Sequence, residues 1–585
     1  MRPWARILGF LVAVVVVVAG LSWAFTPSWS DWNNADTVHG FYEQPKNSLQ
    51  VVFVGTSQTV TGVSPDELWR TQGICSYDLG TERQPVLASY LWLQEAYRLH
   101  PESLEVVVLD VSSFTAGLSF QEQADFAEKS VANMEYLPSR WHALSEIDKR
   151  YYGQSNVLNV VVPVVRYHSR WSRFGEEGTK PAGYEYPGLL SRGQDIRFTN
   201  TVSCGNPTMY VPKGSITEQV DSDRGAINQA AQGFTEREAL EDMVAFCRDH
   251  DLQLVFVKIP RASWSDTSHD MVSELAASMD VDFLDISVPS AMSQIGLVPA
   301  TDYIDVSHPN AIGAQKITGY LGSYLAQECG VRDVRDEPEY AFMEEYADYH
   351  ENVLNDMELQ QCDNLRDYLD HIDLDRHTVF ITVRDDASKG LDQATRDKLE
   401  ELGLPELAAI GSRDSYVAAA NSDNVREVLV HHDKEEREAN WLAGIAEETA
   451  LLEGTFRNGT LEFAEFSGNL AATPDEEAAP MLSALAGDNI KGYFGLTSGG
   501  YYSGAASAIL IEEESVPPVL EEGILSDVCE GYRGINIAVY DRATGKLIDN
   551  SSFDTYEDGQ RTSDIVPDSY WAQYEEAVGE TQPVS

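Results

Sequence analysis

The first half of the chain alternates short apolar runs with longer amphipathic stretches. Three runs, LQVVFVG (Leu49–Gly55), LEVVVLD and LQLVFVK, are rich in β-branched residues and have the length of buried strands. Two stretches between them, PVLASYLWLQEAYRL and FTEREALEDMVAFCRDHD, repeat apolar residues at helical spacing. This alternation predicts an α/β domain over residues 49–330, with a mostly parallel sheet and helices on both of its faces.

Local signals also predict where the first helix of this domain begins. In SPDELWR, Ser64 is a good N-cap residue, Pro65 occupies the first helical position, and Glu67 completes a capping box. The sequence therefore predicts a helix that starts directly after Ser64, a short distance beyond the first strand.

The pattern changes after residue 330. Residues 331–369 are acidic and have helical spacing, which predicts a helical linker. Residues 370–560 include the strand-rich stretches HTVFITVRDD and GINIAVYDRATGKLIDNSSFDTY, and RATGK in the second is typical of a hairpin turn. We therefore expect a β-rich α+β domain over 370–560, followed by an acidic tail at 561–585.

An apolar run from Ile7 to Phe25, preceded by Arg2 and Arg6, begins the chain. This run is long enough for a signal anchor at residues 1–25, followed by a stalk at 26–48, and the basic residues would keep its start in the cytoplasm. A cleaved signal peptide is the alternative. We expect a single-pass membrane protein with its bulk outside the cell, or a secreted protein if cleavage occurs.

Composition narrows the set of partners. The 585 residues are 43% hydrophobic, and 41 basic side chains stand against 94 acidic ones, so the formal net charge is 41 − 94 = −53. Residues 341–585 hold 51 of the acids and 16 of the bases. This charge argues against nucleic acid and anionic phosphate polymers as tight partners, because both require basic patches.

Metal and cofactor chemistry is not indicated. The sequence has no EF-hand spacing and no histidine cluster, so neither a metal site nor a cofactor is expected. The six cysteines are far apart and form no C-x-x-C motif, which argues against a zinc site and a thioredoxin motif. Disulfides and buried free thiols are both compatible with this spacing.

The residues after the first strand are the first candidates for chemistry. Ligands of parallel α/β sheets bind beyond the carboxyl ends of the strands, where Thr56 and Ser57 stand. A serine on a strand-to-helix turn exposes its hydroxyl beside backbone N–H groups, as an acyl-transfer nucleophile requires. In DYIDVSHPN, His308 is a candidate base, and Asp305 is placed to orient it. The alternative is an ordinary turn serine, a carboxylate near a helix start and a loop histidine.

Four stretches resemble the blocks of an SGNH (GDSL-like) hydrolase domain, in the order that this superfamily has them: FVGTSQTVTGVSPDELW, SYDLGTERQPVLASYLWLQEA, VVVLDVSSF and DYIDVSHPNAIGA. The similarity is to the membrane-anchored bacterial branch related to alginate O-acetylation proteins and the D-alanyl-lipoteichoic acid biosynthesis protein. It implies a flavodoxin-like sheet on which Ser57 is the nucleophile, His308 the base and Asp305 its partner. The backbone N–H groups of Ser57 and Gly80 would form the oxyanion hole.

The sequence departs from the SGNH pattern in two places. The usual third block, a G-x-N-D run, is not evident; LDVSSF stands in its place, so no oxyanion asparagine can be named. Gln58 occupies a position where many relatives carry histidine. These departures leave slow acyl transfer and a binding-only role open beside ester hydrolysis.

Several basic residues are weaker candidates for substrate contact. Arg166, His168 and Arg170 follow an apolar run in VVVPVVRYHSRW, and in an acidic protein they suit a polar or anionic glycan. The alternative is that these arginines pair with carboxylates of the same domain. Lys258 and Arg261 follow the third strand and are placed to border the pocket.

The C-terminal part resembles the interleukin-like EMT inducer domain, a β-rich fold without known catalytic residues, in VFITVRDDASKGLDQATRDKLEELGL, AIGSRDSYVAAA and GINIAVYDRATGKLIDNSSFDTY. In the animal members the GIN…FDTY half comes first, whereas here it comes last, as in a circular permutation. Charged loop residues are candidates for carbohydrate contact, with ion pairs that close the fold as the alternative: Arg384, Asp385, Asp386, Arg413 and Asp414.

Together these features predict a bacterial cell-envelope protein whose SGNH-like domain hydrolyses or transfers an acyl group on an envelope or extracellular polysaccharide. The resemblance implies a multi-spanning membrane acyltransferase as a partner. The alternative is a non-catalytic surface scaffold in which both domains only bind glycan.

Overall fold

The computed structural model describes residues 3–25, 35–115, 117–167, 191–194, 234–261, 264, 266–298, 302–303, 308–435, 450–457, 459–463, 493–498, 508–511, 529–530, 533–543, 545 and 547–561. The chain divides into two compact units. One comprises residues 1–198 and 210–354, and the other comprises residues 199–209 and 355–585.

A five-stranded parallel sheet forms the centre of the first unit. Its strand order is β2-β1-β3-β4-β5, and every neighbouring pair is parallel. This 2-1-3-4-5 order is the flavodoxin-like one, so the predicted α/β class with a parallel sheet is confirmed. The strands are β1 (Val51–Val54), β2 (Ser76–Asp78), β3 (Val106–Asp110), β4 (Gln253–Lys258) and β5 (Asp282–Asp285).

Helices cover both faces of this sheet, because alternate side chains of each strand point to opposite sides. On β1, Val52 and Val54 lie in one buried cluster, whereas Val51 and Phe53 lie in another. The helices of the unit are Ala35–Tyr42, Ser57–Gly62, Pro65–Gln72, Val86–Leu99, Ser112–Thr115, Phe120–Val131, Leu137–Tyr152, Val157–Val161, Pro163–Arg166, Phe234–Asp249, Asp266–Met279, Pro289–Gln294 and Ala311–Gln327, with a 3-10 turn at Pro338–Tyr340.

The predicted capping box at Ser64 is only half formed. Ser64 Oγ accepts from the Glu67 N–H at 3.2 Å, as an N-cap does. Glu67, however, accepts a bidentate pair of hydrogen bonds from Arg70 and lies 3.1 Å from Nε2 of the buried His350. The Ser64 N–H donates instead to Thr318 Oγ1 at 2.8 Å. The predicted hydrogen bond from the Ser64 N–H to the Glu67 carboxylate was therefore wrong, because each of these groups bonds to another residue instead.

The N-terminal apolar run forms a helix, Pro3–Phe25. Among the residues that the structure describes, no helix is both long enough and apolar enough to cross a membrane.

Two antiparallel sheets form the second unit. The first has the order β15-β14-β6-β7-β8, and the second has the order β10-β9-β11-β12-β13. The hairpin predicted at RATGK is confirmed, since β14 pairs antiparallel with β15. The strands are β6 (His377–Arg384), β7 (Ser415–Ala420), β8 (Val425–Val430), β9 (Ala450–Arg457), β10 (Thr460–Phe463), β11 (Tyr493–Ser498), β12 (Ala508–Ile511), β13 (Cys529–Glu530), β14 (Gly534–Asp541) and β15 (Leu547–Phe553).

The two antiparallel sheets pack face to face through one apolar cluster. Phe380 on β6 lies at its centre, with its ring 4.9 Å from that of Phe494 and 5.7 Å from that of Tyr540. Helices cover the opposite face of the first sheet, where a separate cluster is buried. These helices are Leu365–Asp370, Gln393–Glu401 and Pro405–Ala408, and Met343–Gln361 spans the division between the units.

Four of the cysteines have free thiols in the described part of the chain. Cys75 and Cys247 are buried, and Cys329 and Cys362 are partly exposed. Cys204 lies outside the described residues.

A buried carboxyl group gives the first unit a pH-dependent stability. Glu236 accepts from the Val86 N–H at 2.8 Å and from the Tyr151 hydroxyl at 3.0 Å, and burial raises its pKa from 4.5 to about 7. The folded state therefore holds a proton between these pH values that the unfolded state has lost, so stability falls as the pH rises through this window.

We expect Glu236→Gln to remove this dependence. Relative to the variant, the wild type should lose about 3 kcal/mol of unfolding free energy between pH 4.5 and pH values above 7. Denaturant unfolding at several pH values measures this difference. Glu241→Gln, on the same helix but exposed, is the control. A pH-independent difference between wild type and Glu236→Gln would contradict the assignment.

Candidate functional site

The candidate site lies at the carboxyl edge of the parallel sheet, at the point where the strand order reverses between β1 and β3. Ligands of doubly wound sheets bind in this crevice. Ser57 follows β1 by two residues, and a hydrogen bond joins the two strand ends, since Thr56 Oγ1 donates to Asp110 Oδ2 at 2.6 Å. Asp110 was not among the predicted site residues, although a carboxylate at the end of a buried apolar run is visible in the sequence.

Ser57 begins a short helix, Ser57–Gly62, which was not predicted and which precedes the helix expected after Ser64. Thr56 is its N-cap and accepts from the Gln58 N–H at 3.2 Å. The turn passes very close to β3: a Cβ added at Gly55 would lie 2.6 Å from Asp110 Cβ, nearer than real Cβ contacts. Glycine at 55 and the hydroxyl of Thr56 together fix the height of Ser57 above the sheet edge.

His308 is brought to Ser57 from the other end of the domain. Its Nε2 lies 2.9 Å from Ser57 Oγ, within hydrogen-bonding distance, and both side chains are partly exposed. This is the geometry that a base needs to accept the proton of a serine nucleophile. The structure thus joins two predicted residues that are 251 positions apart.

The loop that carries His308 is held at both ends. The Asn310 N–H donates to the Asp302 backbone oxygen at 2.9 Å, and the Asn310 side chain caps the helix Ala311–Gln327. The buried Asp302 carboxylate accepts from Lys316 Nζ at 2.7 Å. Asp302 is therefore structural. Asp305, the predicted partner of His308, lies outside the described residues.

The residues after β4, Ile259 and Pro260, pack against the segments that carry Ser57 and His308. A Cβ added at Gly62 would lie 2.7 Å from Ile259 Cγ2 and 3.4 Å from Pro309 Cγ, so the three segments are in close contact. The Tyr303 hydroxyl also donates to the Pro260 backbone oxygen at 3.0 Å. Packing of this loop fixes the separation of Ser57 and His308.

The predicted oxyanion donors differ in their surroundings. The Gly80 N–H donates to Asp78 Oδ1 at 2.7 Å, and this bond opposes the burial that raises the pKa of Asp78. In the first turn after Thr56, the N–H groups of Gln58 and Thr59 both donate to Thr56. Gly80 would have to exchange Asp78 for a substrate oxygen in order to stabilise an oxyanion.

The segment LDVSSF, which replaces the usual asparagine block, contains a buried serine–lysine contact. Lys258 Nζ donates to Ser112 Oγ at 2.9 Å, and the Ser112 N–H donates to Asp110 Oδ1 at 3.0 Å. Burial lowers the pKa of Lys258 to about 7, helped by Arg261 and opposed by Asp110. Lys258 was predicted to border the pocket, and the structure places it beneath the sheet edge, fully buried.

Arg166, a predicted substrate contact, is engaged within its own domain. Its guanidinium contacts Glu128 at 2.7 Å and Asp148 at 3.1 Å, and its side chain is buried. This geometry matches the ion-pair alternative. His168 and Arg170 lie outside the described residues.

The charged loops of the second unit also bond internally. Arg413 lies 3.6 Å from Asp385, and Asp386 accepts from the Ser388 and Ser412 hydroxyls. Asp414 accepts from the Gly411 N–H and lies 2.7 Å from His431 Nδ1. These contacts close the ends of the first antiparallel sheet. Across the described residues, no group of three or more His, Cys, Asp or Glu side chains is placed to hold a metal ion.

Comparison with known families supports one of the two predicted resemblances. The family model of the interleukin-like EMT inducer matches residues 344–422 and 533–567, which confirms that part of the prediction. No SGNH model matches the chain. No curated protein and no solved structure shows significant similarity.

From residue 355 onward the matched segments belong to the second unit, although residues 423–532 separate them. Strand β14 pairs with β6 along its whole length, from Gly534 opposite Arg384 to Asp541 opposite His377. The intervening residues supply β8 and the whole second sheet. The second sheet is thus an insertion between the two matched segments.

We expect Thr56→Val to displace Ser57 from His308, because the variant keeps the side-chain volume but loses the bond to buried Asp110. The stability cost should be about 1.5–3 kcal/mol, as for a lost hydrogen bond to a charged group. Thr56→Ser keeps the hydroxyl and should behave like the wild type. Denaturant unfolding of both variants tests the bond, and equal stability of Thr56→Val and Thr56→Ser would contradict it.

Proposed function

We propose that the first unit is an SGNH-type serine esterase or O-acyltransferase that acts on acyl groups of an envelope or extracellular polysaccharide. The observation that carries this proposal is the 2.9 Å contact between Ser57 Oγ and His308 Nε2 at the switch point of a 2-1-3-4-5 sheet. The order of the four SGNH-like blocks along the chain supports the same assignment.

In the first half of the reaction, Ser57 Oγ attacks the ester carbonyl carbon while its proton passes to His308 Nε2. The carbonyl oxygen becomes an oxyanion, for which backbone N–H groups at Ser57 and Gly80 are the proposed donors. Collapse of this intermediate breaks the bond to the alcohol oxygen, which takes the proton from His308. The products are an acyl-Ser57 ester and a free hydroxyl group on the donor.

In the second half, His308 takes a proton from an acceptor hydroxyl, whose oxygen attacks the acyl-Ser57 carbonyl. The proton then returns to Ser57 Oγ as the acyl group leaves it. With water as acceptor the reaction is hydrolysis, and with a sugar hydroxyl it is transfer. We assign Asp305 the role of holding the His308 ring, with no part in covalent chemistry.

We also propose that the enzyme is at the cell membrane, with the apolar N-terminal segment 1–25 as its anchor and the second unit outside the cell. A multi-spanning membrane acyltransferase is the expected acyl donor if transfer is the reaction. We assign glycan or protein binding to the interleukin-like EMT inducer domain, whose charged loops bond to one another.

A non-catalytic glycan-binding scaffold is the second candidate function. One observation favours it: the Gly80 N–H, a proposed oxyanion donor, is bonded to Asp78. A site that keeps this bond would bind an acylated glycan without stabilising the transition state.

The test is labelling of the detergent-solubilised full chain with a fluorophosphonate, which reacts covalently with activated serines. We expect stoichiometric labelling of the wild type, none in Ser57→Ala, and a labelling rate about a hundredfold lower in His308→Ala, since a general base contributes at least this much. Ser278→Ala, a serine outside the site, is the matched control and should label normally.

Wild-type protein that stays unlabelled where a known SGNH esterase reacts would overturn the catalytic proposal. Labelling that persists in Ser57→Ala would overturn the assignment of the nucleophile. If the wild type is unlabelled but binds acylated polysaccharide on a glycan array, the scaffold function takes its place.

A further inference from the structure

Exposed apolar side chains are concentrated on one part of the first unit. Outside the helix Pro3–Phe25, the described residues include ten exposed large hydrophobic side chains, and eight of them lie between residues 120 and 165. Val157 is 72% exposed and Leu158 is 62% exposed. Soluble surfaces rarely gather apolar groups in this way unless another surface covers them.

Six of these residues lie on four consecutive helices that pack against one another, and they are named here the apolar face: Phe120, Tyr152, Val157, Leu158, Val161 and Val165. The Phe120 ring is 5.3 Å from that of Tyr151, and the Tyr152 hydroxyl accepts from Gln121 Nε2 at 3.3 Å. Val157 and Val161 are four residues apart on one helix, so they share a side.

The short helices that carry this face are fixed to the domain beneath them. Arg166, at the end of the helix Pro163–Arg166, is held by Glu128 and Asp148 on the two helices below. Ser145 Oγ, on the helix Leu137–Tyr152, donates to Ser155 Oγ at 3.0 Å. The exposed valines are therefore presented by an anchored segment and not by a loose loop.

The apolar face adjoins the N-terminal helix. The Val164 N–H lies 3.4 Å from Ser22 Oγ, near the end of Pro3–Phe25. That helix exposes apolar side chains along most of its length, from Trp4 to Leu21. The exposed apolar side chains of this helix thus belong to an element that contacts the segment carrying the apolar face.

The described basic side chains beside the apolar face, Lys149 and Arg150, are paired with carboxylates of the same unit and do not favour a charged protein partner. Lys149 is paired with Glu146, and Arg150 with Glu238 and Asp242. With these cations already paired, hydrophobic contact is the interaction that remains, and tyrosine at the border of the face is typical of a membrane interface.

We propose that the apolar face rests in the interfacial region of the lipid bilayer beside the N-terminal helix, so that the first unit lies against the membrane instead of standing away from it. Aliphatic side chains would enter the boundary between headgroups and acyl chains, with Tyr152 at its polar side. This contact does not depend on the proposed chemistry of Ser57.

The test uses the full chain reconstituted in phosphatidylcholine vesicles, with a diazirine amino acid at Val161. The same residue at Val425 in the second unit is the matched control, because the two valines are 39% and 37% exposed. After irradiation, mass spectrometry identifies adducts. We expect lipid adducts at Val161 at about five times the yield at Val425 or more, and the same result at Leu158.

Salt and anionic lipid provide a second arm. The yield at Val161 should change less than about twofold with high salt or added phosphatidylglycerol, since the described cations beside the face, Lys149 and Arg150, are already paired. Equal yields at Val161 and Val425 would overturn the proposal. So would adducts to residues 168–233 of the same chain, or to another protein in native membranes. These outcomes do not involve labelling of Ser57, so either proposal can fail alone.

Discussion

The hydrogen bond from Thr56 Oγ1 to Asp110 Oδ2 is the contact on which the candidate site depends. It ties the end of β1 to the end of β3 at the one position where the sheet order reverses. Asp110 is fully buried, so losing this donor would leave a desolvated carboxylate with one fewer partner. The height of Ser57, and with it the 2.9 Å contact to His308, follows from this bond and from the close approach at Gly55.

Buried charge at the same edge constrains the surroundings of the site. Four of the five strands end in an ionisable residue: Asp78, Asp110, Lys258 and Asp285. Lys258 supplies positive charge among three carboxylates, and its lowered pKa reflects how strongly burial opposes that charge. Asp78 holds the Gly80 N–H, so the proposed oxyanion hole and this charge arrangement are directly coupled. The proposed ester chemistry requires the Gly80 N–H to leave Asp78 and donate to a substrate oxygen, whereas the proposed ligand binding does not.

The second unit shows how a fold tolerates a large insertion. Strands β6 and β14 lie side by side although a whole sheet is inserted between them in sequence. The inserted sheet packs its own apolar face onto the first sheet around Phe380. This burial gives the insertion a stabilising contact with the parent sheet, which explains how the family match is interrupted without loss of the fold.

The sequence by itself determined the α/β class, the strands β1, β3 and β4, and the position of Ser57 directly after β1, because continuous apolar runs act locally. It did not reveal β2 and β5, because both are short and contain aspartates in place of a continuous apolar run. The tertiary structure alone decided which polar groups meet: Ser57 with His308, Thr56 with Asp110, and Arg166 with its two carboxylates. It also decided that the Glu67 carboxylate contacts Arg70 and His350 and does not accept from the Ser64 N–H. Local spacing sets backbone conformation, whereas a charged side chain pairs with whichever partner the packing brings near, and that partner is often hundreds of residues away.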